Sequence, residues 1–107
     1  MGPLRGFKII EIAGIGPGQF CGMLLADMGA EVLRLERPDV GDLGLVMPAK
    51  FNLMNRSRPA VAIDLKTEQG TELVLRLCKE ADAIFEGYRP GVMERLGLGP
   101  DACMACN

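Results

Sequence analysis

Histidine is absent from the 107 residues. Without it, no imidazole can serve as an acid, a base or a metal ligand. An excess of either charge is also missing: 12 basic and 14 acidic side chains leave a formal net charge of −2. That balance argues against a nucleic-acid binder and against a polybasic membrane anchor, both of which need a surplus of Lys and Arg. It leaves room for a small anionic ligand, which a few well-placed arginines can hold. No apolar run approaches the roughly 20 residues that cross a bilayer. Met1 to Gly6 lack the apolar stretch and cleavage site of a secretory leader. The expectation is therefore a cytoplasmic protein with no membrane and no nucleic-acid partner.

What is present suits one small α/β domain spanning residues 1–107, with 49% apolar and 24% charged residues. Such a chain buries a core with little stability to spare. Its four cysteines fit a reducing compartment. Cys21 and Cys78 fall in predicted helices among apolar neighbours, where cysteine acts as a small hydrophobe. Cys103 and Cys106 form one C-x-x-C. Zinc would need two further ligands, and a thioredoxin-like pair would sit between a strand and a helix. Two incidental helix cysteines is the simpler reading, with no metal site.

Apolar and β-branched runs predict strands at 7–12, 31–36, 60–64 and 82–86. Helices are predicted between them. Residues 19–28 carry Phe20, Met23 and Leu24 on one face, with Gly29 as the stop. Thr67 caps a second helix running to about Glu80, whose buried stripe is Leu73, Val74, Leu77, Cys78 and Ala81. A short helix at 91–96 follows, then a turn, and Pro100 opens a last helix. A long irregular stretch fills 37–59. Strands alternating with helices indicate a Rossmann-like, mainly parallel sheet, and in such sheets ligands bind beyond the carboxyl ends of the strands.

The strand ends are therefore where function is sought. Gly14-Ile15-Gly16-Pro17-Gly18 follows the first strand, as a glycine turn that can admit an anion to backbone N–H groups or simply turn tightly. It is not the dinucleotide fingerprint, because the third glycine would fall on Gln19, nor a P-loop. Arg37, Lys66 and Arg89 follow the second, third and fourth strands. Singly they read as solvated charges. Together they are expected to follow neighbouring strands and converge on one sheet edge, as a site for a polyanionic ligand.

Several blocks then carry a resemblance: Gly14 to Gly18, Leu25 to Val32, Glu36-Arg37-Pro38, Ala62 to Lys66, and Ala81 to Pro100. In order, and over nearly the whole chain, they resemble the opening of family III CoA-transferases, most of all the α-methylacyl-CoA racemase branch. The resemblance implies coenzyme A or an acyl-CoA as substrate ligand, with no other cofactor. It implies contacts from Ile15 and Arg37 to adenine and phosphates, and from Ile63, Asp64, Leu65 and Lys66 after the third strand. Gly87, Tyr88, Arg89 and Arg95 correspond to pantetheine and phosphate contacts. Residues 39–55 depart from the family pattern.

In that family, racemases exchange the proton next to the thioester carbonyl through a histidine and a carboxylate pair, while transferases use an aspartate nucleophile. These groups lie downstream of the matched blocks, so no catalytic residue is assigned here, and Asp27, Asp64 and Glu86 do not match catalytic positions. Family members are several-fold longer interlocked homodimers. The expectation is thus an incomplete racemase- or transferase-type chain that binds CoA at most and self-associates. The alternatives are a stand-alone CoA- or nucleotide-binding module and a partial NAD-binding Rossmann domain.

Overall fold

The computed structural model describes residues 2–14, 17–38 and 53–107. The first strand, β1 (Lys8–Ile12), is buried at every position after Lys8, as expected of a central strand covered on both faces. It pairs in parallel with β2 (Glu31–Glu36) on one side and β4 (Ala83–Phe85) on the other, and β2 pairs in parallel with β3 (Ala60–Ala62). The strand order is β3-β2-β1-β4. The mainly parallel α/β architecture expected from the sequence is thereby observed.

The helices divide between the two faces. Helix α2 (Glu68–Cys78) buries Val74 and Cys78 against Ile10, Ile12 and Leu35, and this cluster also takes in Met93, Leu98 and Cys103 from α3 (Val92–Arg95), α4 (Pro100–Ala105) and the turn joining them. On the other face, Ile9, Ala30 and Val32 pack against Leu25 and Ala26 of α1 (Pro17–Asp27). A 3₁₀ helix, Leu53–Asn55, lies against α1. The long irregular stretch is described only at residues 37–38 and 53–59, so the departure at 39–55 falls almost wholly outside the described residues.

Local chemistry sets the element ends. Thr67 caps α2 as expected: its Oγ accepts the Gly70 N–H at 3.0 Å and donates to the Asp64 carbonyl at 2.8 Å. Gly29 ends the α1 region at φ +101°, a left-handed angle that favours glycine. Pro100 occupies the first turn of α4.

Four expectations need correction. Helix α1 presents Gln19, Gly22 and Met23 to the sheet, while Phe20 and Leu24 are 49% and 42% exposed. Cys21, expected among apolar neighbours, is exposed. In α2, Leu73 is 38% exposed, and Gly70 takes its place against the strands' end. Strand β3 is also shorter than predicted, because the chain turns at Asp64, whose Oδ1 accepts the Lys66 N–H at 3.0 Å.

Candidate functional site

Parallel pairing points all four strands the same way, and every candidate residue within the described chain lies in the segments that follow them, Arg95 on helix α3. After β2, Arg37 stands exposed. After β3 come Ile63, Asp64, Leu65 and Lys66. Ile63 and Leu65 bury their side chains in the core at 5% and 8% exposure, so only their backbone groups can meet a ligand. Asp64 and Lys66 are exposed. After β4, Gly87 and Arg89 are exposed, whereas Tyr88 packs against the core cluster and its N–H donates to Glu86 Oε2 at 2.6 Å. Arg95 is exposed on α3, close to the Gly91 backbone. Ile15 lies outside the described residues.

Arg37, Lys66, Arg89 and Arg95 make no ion pair among the described residues. No acid among the described residues therefore pairs with them. Their spacing differs from expectation. They do not follow three neighbouring strands, because β1 separates β2 from β4. With strands about 4.8 Å apart, the strands leading to Lys66 and Arg89 are separated by about 14 Å. The strand order spaces the backbone positions of Lys66, Arg37 and Arg89 in a row along the sheet end. That row suits an elongated ligand with separated anionic groups better than one compact phosphate.

The chain runs from β1 to β2 to β3 in one direction and then jumps across to β4, which makes the β1/β4 boundary the topological switch point where open α/β sheets bind ligands. Two glycines flank it. A side chain at Gly14 or Gly87 would meet nothing within 4 Å, and one at Gly18 would reach the Phe85 ring at 4.0 Å. The first turn of α1 and the end of β4 thus adjoin, with open backbone on both sides.

Beneath this end lies a buried charge network that the sequence reading missed. Glu11 is fully buried on β1 and stands opposite Arg34 on β2. Its carboxylate lies 2.8 Å from Arg58 Nε and 3.4 Å from Arg34 Nε. Arg34 Nη1 also reaches Glu36 Oε1 at 2.8 Å, and Arg58 Nη2 donates to the Gln19 carbonyl at 3.4 Å. Gln19 Nε2 in turn donates to Asn55 Oδ1 at 2.5 Å. Burial pushes the Glu11 carboxyl up, against the pull of Arg58 and Arg34, and pushes the Arg58 guanidinium down. Helix α1 can lie over this network because Gly22 leaves room: a Cβ there would come within 2.8 Å of Glu11 Cδ. The signal was an acid inside an apolar central strand, which demands a buried partner.

Comparison with known proteins decides the family. The model of CoA-transferase family III matches residues 4–107. The chain belongs to CoA-transferase family III. Within this family it is 44% identical over 104 residues to α-methylacyl-CoA racemase of Mus musculus, covering 97% of this chain and 25% of that protein. A probable fatty acyl-CoA transferase of Mycobacterium tuberculosis, Rv3272, is 39% identical over 108 residues, covering 92% of this chain and 27% of that protein. In the orthorhombic crystal form of Rv3272, the fold superposes with a TM-score of 0.85 at 37% identity, over 100% of this chain and 30% of that one. The chain thus spans about a quarter of the length of the curated relatives it matches. Among the described residues no helix is long and apolar enough to cross a membrane, and no group of metal-ligating side chains is found.

Proposed function

We propose that these residues form the coenzyme A-binding part of a family III enzyme of the α-methylacyl-CoA racemase or transferase type, and that alone they bind CoA or acyl-CoA without turning it over. One observation carries the reading. Exposed Arg37, Lys66 and Arg89, none of them ion-paired among the described residues, are strung across the carboxyl end of a parallel sheet in a chain whose net charge is −2. Coenzyme A, with a 3′-phosphate, a pyrophosphate and a long neutral arm, has the separated charges that such a row would hold. Arg37 and Lys66, which follow the adjacent strands β2 and β3, are assigned to the phosphorylated adenosine, and Arg89 with Arg95 to phosphate nearer the switch point. The backbone at Gly87 gives a narrow arm close passage.

The absence of histidine supports the inactive part of the proposal. Removing a proton beside a thioester carbonyl calls for a positioned base and a stabilised enolate, and the exposed Glu86 and Asp64 near the sheet end each accept an N–H of a local turn. A cytoplasmic location belongs to the same proposal, supported by four cysteines that are all free thiols.

Calorimetric titration with CoA tests the binding. Saturable binding that weakens with added salt is expected, with a loss of about tenfold for Arg89→Ala, the worth of one charge-assisted hydrogen bond. No binding of CoA, or binding of NAD instead, would overturn the reading. Incubation with a 2-methylacyl-CoA in deuterated water is expected to show no α-deuterium uptake, and uptake would refute the inactivity.

A further inference from the structure

The buried charge network has no part in the ligand row, yet it touches the elements that carry it. Glu11 is the last but one residue of β1, three positions before Gly14. Arg58 bridges from Glu11 to the Gln19 carbonyl in the first turn of α1. Arg34 bridges from Glu11 to Glu36, the residue before Arg37. Both guanidiniums are buried, with Arg58 side-chain Nε at the carboxylate and its far end at α1. An apolar layer would cover the same space without tying particular residues together, whereas one buried carboxylate between two buried guanidiniums couples β1 to β2 and, through Arg58, to α1.

We propose that Glu11 and Arg58 are positioning residues: they set the first turn of α1 against the sheet end and so fix the backbone that frames the ligand at the β1/β4 boundary. The inference rests on the CoA reading for its binding consequence, but its structural core is independent of it. The network also explains why α1 turns Gln19 and Gly22, rather than its apolar Phe20 and Leu24, toward the sheet. The helix is held by charge at its start and by apolar contact of Leu25 and Ala26 further along.

Removing Glu11 alone would take the carboxylate from buried Arg58 and risk unfolding. The informative variant is therefore Glu11→Leu with Arg58→Met, which leaves Arg34 its partner Glu36. Two readouts apply. Amide hydrogen exchange, read by NMR, is expected to accelerate at least tenfold at residues 19–23 while α2 keeps its protection. The CoA dissociation constant is expected to rise about tenfold while the slope of binding against salt stays as in the parent, because neither residue touches the ligand. Unchanged exchange at 19–23, or a uniform loss across both helices, would overturn the proposal. A reduced salt slope would overturn it too, by making Arg58 a ligand contact. If the parent fails to bind CoA, the function reading falls and the exchange result alone decides this one. If the double variant fails to fold, Glu11→Asp, which keeps the charge but shortens its reach by one methylene, is expected to show the same local loosening, and its absence would overturn the inference.

Discussion

Cys78, the last residue of α2, is buried at 4% exposure, and burial pushes its thiol from an ordinary 9.0 up to about 12. A thiol raised in this way stays protonated in the folded chain while the unfolded chain ionises. Between pH 9 and pH 12 the folded state therefore binds more protons, and stability falls as pH rises. Half of that window costs about 2 kcal/mol. Cys78→Val, nearly the same shape without the proton, is expected to match the parent near pH 8 and to exceed it by about 2 kcal/mol near pH 10.5. Urea unfolding at the two pH values checks this; parallel losses in both proteins would show that Cys78 is not the group responsible. The burial of Cys78 was legible from helical spacing. The exposure of Cys21 was not, because spacing alone treats every helix face near apolar residues as buried. Glu11 could have been suspected, since a carboxylate in a central parallel strand has nowhere to ionise without a cation. Which arginine answered it was beyond the sequence: Arg58 lies 47 positions away, on the far side of an irregular stretch.

At the level of elements, the strands of the sheet were readable to within a residue or two because β-branched runs and glycine stops are local signals. The errors fell where tertiary packing outvoted periodicity. Phe20 and Leu24 of α1 and Met28 just past its end fall in one row, yet all three are at least 40% exposed, since the charge network beneath the helix needs small Gly22 at the contact. For α2 the local signals agreed with the fold. Thr67 links its hydroxyl both to the Asp64 carbonyl and to the Gly70 N–H, so it closes the turn after β3 and starts the helix at once. Thr67→Ala is expected to cost about 1 kcal/mol, measured by chemical denaturation, and Thr67→Ser is expected to recover most of it. An equal loss in both would assign the effect to the methyl group instead. The same turn places Lys66 at the sheet end, so Thr67→Ala is also expected to weaken CoA binding modestly. The strand order was the harder part to read. Placing the basic residues after three strands followed from the sequence, but their adjacency did not, because the order β3-β2-β1-β4 depends on which way the chain jumps after α2.

For the whole molecule, that order leaves two edge strands among the described residues, and each has only three residues. All three positions of β3 are exposed, with Val61 at 45%. Beside β4 runs a groove of about 320 Å³ between Ala81, Asp82, Ala83 and Ile84 on one wall and Cys103, Met104 and Asn107 on the other, and Met104 is 75% exposed. An uncovered edge offers unpaired N–H and C=O groups to another chain, and an apolar wall beside it strengthens the match. Self-association that grows with concentration is therefore expected in size-exclusion chromatography with light scattering. Short edges limit backbone pairing, so the apolar groove carries more of the attraction than the β3 edge does. Met104→Glu is then expected to shift the population toward monomer more than Val61→Lys, although both add charge to an edge. A monodisperse monomer at high concentration would show that short edges suffice to prevent pairing. A larger effect of Val61→Lys would move the contact to the β3 side, next to Lys66 and Arg37, where association would compete with CoA. In that case CoA would dissolve the oligomer, whereas association through the β4 groove, which lies away from that pair of cations, would leave their share of the ligand row open.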